Sequence, residues 1–430
     1  MGSAAWLGAA EPAVPAPRWP EIDPALRNEE AFGLKFWIML DQRPSSVWSF
    51  LEDELKRRPD PYVKAYVAWC CFFGPNNGMG PKKDYARGRA LAAEAMAAGS
   101  LVAQETLGRA IGLGLGGPAD AVESARLLRA AANRGSMRAL ARLGRYEMFG
   151  YGVAPNAEAA ERDLRRAAEL GGILVEYRII AGAYESGDQG LPRDLNRAVD
   201  CYYRIAYYGS RYVEKDFDKL EKLGAPNVRL YRALAMVHDV NEGVWVTNAR
   251  VRREVPVLEE LGKDLAAAQY ELGTVYIDDD WINHDFSKAL EHLNRARGLG
   301  EDRANFSLAR MRLLGRGAPR DEAGAMSDLQ LLAADGDAHA ETYLGALYYW
   351  GSSGAPKLPK DPHKAYEFTR QGAENGSIIG LVNLARCYEG GIGVPQDYLL
   401  AAKLYWVAHN RGYYRGGEYA IRLSHFVELP

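Results

Sequence analysis

Glycine recurs at a nearly fixed step along this chain, and that step limits what the chain can fold into. Gly99, Gly135, Gly171 and Gly209 lie 36, 36 and 38 residues apart, and Gly300, Gly336, Gly376 and Gly412 lie 36, 40 and 36 apart. A constant period in this range is the signature of stacked helix pairs. Each unit reads as a helix A, a glycine turn, a helix B and a closing glycine. The closing glycine can take the left-handed conformation that ends a helix and satisfies its last carbonyls. Residues 337–376 show the whole phrase.

The interior of the phrase is equally regular. Leu107, Leu143, Leu308, Leu344 and Leu384 each follow a closing glycine by eight residues, and Ile179 stands near that place in the unit after Gly171. The next residue is Gly108, Gly144, Ala309, Gly345 or Ala385, small enough to let neighbouring helices approach closely. Seven residues after each Leu comes a turn glycine: Gly114, Gly150, Gly315, Gly351 or Gly391. Four of these open a G-x-G turn.

This pattern resembles the Sel1-like repeat family. The nearest phrases are L-G-R-Y-E-M-F-G-Y-G-V from Leu143 and L-A-R-C-Y-E-G-G-I-G-V-P-Q-D from Leu384. The resemblance implies an all-α fold, a right-handed α-solenoid superhelix of antiparallel helix pairs similar to tetratricopeptide arrays. It covers about residues 62–209 and 265–412. The expected organisation is a flexible Ala/Pro-rich segment over 1–28, a capping helix pair over 29–60, and repeats over 61–210. An irregular insertion or degenerate repeat follows over 211–264, then repeats over 265–412 and a capping helix over 413–430. In the first pair, Pro44 breaks the chain, and Ser45 or Ser46 is placed to cap a helix from Val47 to Arg57. Pro256 should kink or split the helix expected over 248–261.

Composition removes several functions. A net charge of −3 over 430 residues leaves no general basic face for nucleic acid. No apolar run approaches the roughly 18 residues that cross a bilayer. Cys70, Cys71, Cys201 and Cys387 match neither a zinc nor a C-x-x-C spacing and read as buried free thiols. The seven histidines form no metal-binding pattern. Gly112 to Gly117 fits G-x-G-x-x-G, but it follows a helical phrase and precedes Pro118, so it reads as a turn and not a dinucleotide loop. No catalytic motif, cofactor site or metal site emerges. The Ala-rich start is similar to the residue of a signal-peptidase cut, which favours a bacterial periplasmic location over the cytoplasm, although no charged n-region or long apolar h-region precedes it.

A partner surface is sought in positions that repeat. Two residues after the Leu stand Arg109, Arg145, Arg310, Ala346 and Arg386. Such a column could contact a partner or pair with acids on neighbouring helices. Trp245 and Trp281 lie in expected loops, where a tryptophan serves recognition or tucks a short segment onto the array. Asp278 to Asp280 form an acidic loop, solvated or facing a basic partner. The resemblance implies a non-enzymatic protein-interaction scaffold of bacterial type. Some Sel1-like repeat proteins encoded beside type VI lipase effectors are immunity proteins, so an immunity or adaptor protein that binds a secreted toxin is one expectation. An envelope factor that binds glycan is the other.

Overall fold

Short-range signals at the two ends of every helix pair lock the repeats together. The computed structural model describes residues 27–42, 44–74, 83–171, 175–207, 213–241, 248–277, 284–351, 358–411, 413 and 415–427. Among them the chain forms 22 α-helices and no strand.

Two units divide the chain. The first holds α1 (Arg27–Gln42), α2 (Pro44–Arg57), α3 (Pro61–Phe73), α4 (Tyr85–Ala97), α5 (Leu101–Gly112), α6 (Ala121–Asn133), α7 (Met137–Phe149), α8 (Ala157–Gly171) and α9 (Val175–Ser186). The second holds α10 (Leu195–Tyr207), α11 (Glu214–Lys222), α12 (Val228–Asn241), α13 (Asn248–Leu261), α14 (Ala266–Ile277), α15 (Phe286–Gly298), α16 (Arg303–Leu314), α17 (Glu322–Ala334), α18 (Ala338–Trp350), α19 (Pro362–Glu374), α20 (Ile378–Gly390) and α21 (Tyr398–Asn410). The last helix, α22 (Arg415–Ser424), sets Tyr419 against the Tyr405 ring of α21.

The turn from helix B to the next helix A is three residues long, as at 335–337 and 375–377. At Gly336 the backbone has φ +86, and its N–H donates to Ala333 O. The next N–H, of Asp337, reaches back to Leu332 O, while the Asp337 side chain accepts from Ala340 N at 2.7 Å and caps α18. Ser100, Ser136 and Ser377 do the same for α5, α7 and α20. One residue therefore ends one helix and starts the next, which fixes the angle between them. The turn from A to B ends in an Asp cap, after a G-x-G phrase at Asp120, Asp321 and Asp397: these three and Asp285 and Asp361 all accept from the first turn of the following helix.

Small residues set the distance within a pair. A Cβ at Gly345 would lie 3.1 Å from Thr369 N and 3.2 Å from Ala365 O, and one at Gly372 would lie 3.0 Å from Ala338 O. The backbones of α18 and α19 thus touch, and the pairing of 345 with 369 and 372 with 338 makes them antiparallel. Leu344, next to Gly345, is buried, as are Leu107, Leu143 and Leu384 at the same place in α5, α7 and α20. The four cysteines are buried free thiols.

Several local expectations are corrected. Gly171 lies within α8 as its last residue, and not beyond the helix end. Pro44 opens α2 rather than preceding it, because a proline at the first helical position loses no hydrogen bond, so Ser45 and Ser46 lie inside the helix and not before it. Pro256 does not split its segment, since α13 runs unbroken from Asn248 to Leu261. The turn expected at Gly112 to Gly117 is present: Gly112 ends α5, and left-handed Gly114 and Gly116 follow before α6. Trp245, Trp281 and Asp278 to Asp280 lie outside the described residues.

Candidate protein-interaction surface

The A helices of the first unit carry a band of aromatic rings and guanidinium groups. It begins on α1. The Trp37 ring packs against Trp69 of α3 at 5.2 Å between centroids, and Trp69 meets Phe73 one turn further on at 6.2 Å. Arg109 of α5 lies flat over Phe73, with its Cζ 3.7 Å from the ring centre. Arg138 of α7 lies over Trp37 at 4.0 Å. Stacking holds each guanidinium in place while leaving its in-plane N–H groups free to donate.

Helix geometry adds two more arginines. Positions 138, 142 and 145 fall four and three residues apart, so they share one face of α7. Arg145 Nε donates to Glu176 Oε2 of α9 at 2.9 Å. Arg142 makes no hydrogen bond or ion pair among the described residues, and its buried Nε has no acceptor. The Nε of Arg109 is in the same condition. Burial and the nearby Arg142 charge hold the Arg109 guanidinium well below its ordinary value, at about 10. Burial lowers Arg142 too, and Arg145 adds to that effect. The carboxylate opposing both shifts is Glu105, which accepts from the Ser136 hydroxyl at 3.1 Å.

The four arginines expected from the sequence therefore have different settings. Arg109 and Arg145 belong to the band just described. Arg310 on α16 and Arg386 on α20 are exposed in the second unit, Arg386 reaching only Asn383 of its own helix at 3.3 Å. Arg138, Arg142, Trp37, Trp69 and Phe73 were not anticipated. The helical spacing of 138, 142 and 145, and of 69 and 73, carries the signal for five of these seven positions. No sequence period foretells that Trp37 reaches α7.

A second feature lies at the A-to-B turns. The residue before the turn glycine is a large, exposed apolar one in four units: Leu113, Phe149, Leu314 and Trp350. Trp350 is 69% exposed and stacks edgewise on Tyr349 at 4.6 Å. Two histidines of the second unit pack on aromatic rings. His292 stacks on Tyr276 and bonds Gln269 through Nδ1 at 2.9 Å, and His284 stacks on Phe286. Among the described residues no group of three His, Cys, Asp or Glu side chains is arranged to hold a metal ion, and no helix is long and apolar enough to cross a membrane.

Comparison with known proteins gives consistent results. The Sel1 repeat family model matches residues 63–100, 102–136, 138–172, 180–210, 199–219, 266–300, 302–327, 338–377 and 378–405. An uncharacterized Sel1-like repeat-containing protein of Schizosaccharomyces pombe is 42% identical over 73 residues, which is 17% of this chain and 10% of that protein. Among solved structures, a protective antigen present in uropathogenic Escherichia coli strains, displaying an SLR fold, aligns over 93% of this chain and 90% of its own, at 18% identity and TM-score 0.36. A Sel1 repeat protein from Oxalobacter formigenes aligns over 92% and 94%, at 20% identity and TM-score 0.29.

Proposed function

Because the chain belongs to the Sel1 repeat family, we propose that it is a non-enzymatic scaffold that grips another protein, with the aromatic and arginine band of the first unit as its seat. Arrays of this family typically act as protein-interaction scaffolds. The observation that carries the reading is the half-buried guanidinium of Arg109 stacked on Phe73, close to Arg142, which pairs with no acid among the described residues. Arg beside aromatic rings is the usual make-up of an interaction hot spot. The test is affinity purification of the tagged chain from its native host. A stoichiometric protein partner is expected, and its absence under gentle washing would count against the reading.

A narrower version makes the chain an immunity or adaptor protein for a secreted toxin of the type VI lipase kind. Residues 220–265, which the repeat pattern leaves out, would supply the toxin-specific part. That version requires the purified partner to be a toxin whose activity falls in a one-to-one complex. An envelope role with glycan as ligand is the second reading, and the exposed Trp350 beside Tyr349 favours it, since a flat ring suits a sugar face. Glycan-array binding that disappears with Trp350→Ala, Trp245→Ala or Trp281→Ala would select it.

A further inference from the structure

We propose that Arg109, Arg142 and Arg145 seat the carboxylates of an acidic peptide segment, with Trp69 and Phe73 receiving an apolar side chain beside them. This rests on the scaffold reading and names the chemistry of the partner at that site.

Among the described residues positive charge is in excess here. The guanidiniums of Arg109, Arg142 and Arg145 share the face with Glu105 and Glu176, while Arg138 stands near Tyr66 together with Glu29 and Glu30. Glu176 is engaged by Arg145, and Glu105 accepts from the Ser136 hydroxyl. Glu29 accepts from Ser100 Oγ, Leu101 N and Val102 N and is spent on the start of α5. The Tyr146 phenol is joined to Ser124. Two guanidiniums thus keep unmet donors beside a positive neighbour, and the group missing from the face is an anion.

Carboxylates fit better than other anions. The planar fork of Arg matches a carboxylate edge on, while its face is already taken by a ring. Phe73 under Arg109 and Trp69 beside it are half-buried, and leave apolar surface next to the charge. The Arg142 and Arg145 charges both act on Arg109, so the three guanidiniums lie close enough together for neighbouring acids of one extended peptide to meet them. The chain's overall charge of −3 argues against a nucleic acid as the occupant.

A dye-labelled Glu-Glu-Phe-Glu-Glu peptide, titrated by fluorescence anisotropy against the full chain, tests this. Binding that weakens with added salt is expected, and the Gln-Gln-Phe-Gln-Gln version should not bind. Arg142→Gln should weaken binding about ten-fold while the melting temperature stays level or rises, because the substitution removes a repelled charge. Arg310→Gln, in the other unit, should bind as the wild type does. The proposal is overturned if the acidic peptide fails to bind. It is also overturned if Arg142→Gln binds it unchanged, or if inorganic phosphate displaces it over the peptide's own concentration range, which would mark a small-anion site. If the wild-type chain and Arg142→Gln capture the same stoichiometric host protein equally well, the scaffold reading stands and this site is wrong. If the wild type captures none, the scaffold reading itself fails.

Discussion

Glu29 ties the first helix to the array, and its environment sets a measurable cost. Its carboxylate is buried and takes two backbone N–H groups at the start of α5, at 3.0 and 3.2 Å, together with the Ser100 hydroxyl. Glu29→Ala leaves those donors without this acceptor and should cost about 1–3 kcal/mol in urea unfolding. Glu341 shows a second behaviour. Both its oxygens accept from Asn375 Nδ2, yet burial outweighs that bond and raises its carboxyl above the ordinary 4.5. The folded chain then holds the Glu341 proton more tightly than the unfolded chain. Its contribution to stability is fully present at about pH 4.5 and below, and is lost as pH rises through the folded value. Relative to Glu341→Gln, the wild type should therefore lose stability as pH is raised from about 4.5 towards neutrality. A wild-type advantage that grew with pH would reverse the assigned cause. Neither burial was visible in the sequence, where Glu29 and Glu341 look like ordinary surface acids of a helical first turn.

The helix pair is where the sequence spoke most clearly. Its boundaries rest on Gly, Ser and Asp within six residues of one another, as at Gly336 and Asp337, so the pattern survives without knowledge of anything distant. The small residue after the conserved-spacing Leu is equally local in its cause. A Cβ at Gly144 would stand 2.9 Å from Leu164 Cγ, so larger side chains must push α7 and α8 apart. Gly144→Val should destabilise by about 1–3 kcal/mol or more through overpacking. Ala309→Gly, at the same place in α16, should cost only about 0.5–1 kcal/mol, the helix penalty of glycine itself. Thermal or urea unfolding of the two variants would check the contrast. Where the local rule competed with another, the reading was only partly right: Pro256 does not split α13, and Pro44 starts a helix instead of only ending one. The interaction band was half legible. Arg109 and Arg145 follow the repeat period, whereas Arg138 and Arg142 follow the period of a single helix, which a one-residue-per-repeat search passes over.

The whole first unit is organised by a contact that no period encodes. Helix α1 touches Tyr66 on α3, caps the start of α5 through Glu29, and reaches Arg138 on α7 through Trp37, so one helix spans three successive repeats. In a stack where each repeat otherwise meets its neighbours, such a strap couples units that would open independently. The next stretch of the same face, from Phe73 to Arg145, carries Arg109 and Arg142, whose buried Nε atoms have no acceptor. The second unit displays Arg310 and Arg386 in a different setting, exposed and away from comparable rings, and its Trp350 edge offers the competing glycan reading. Amide hydrogen exchange of the chain, alone and with its purified partner, distinguishes these surfaces most directly. Protection on partner binding should concentrate in α3, α5 and α7 and vanish with Arg142→Gln. Protection confined to residues 211–264 or to the Trp350 turn, with α5 and α7 unchanged, would contradict the assignment of the arginine band as the binding face.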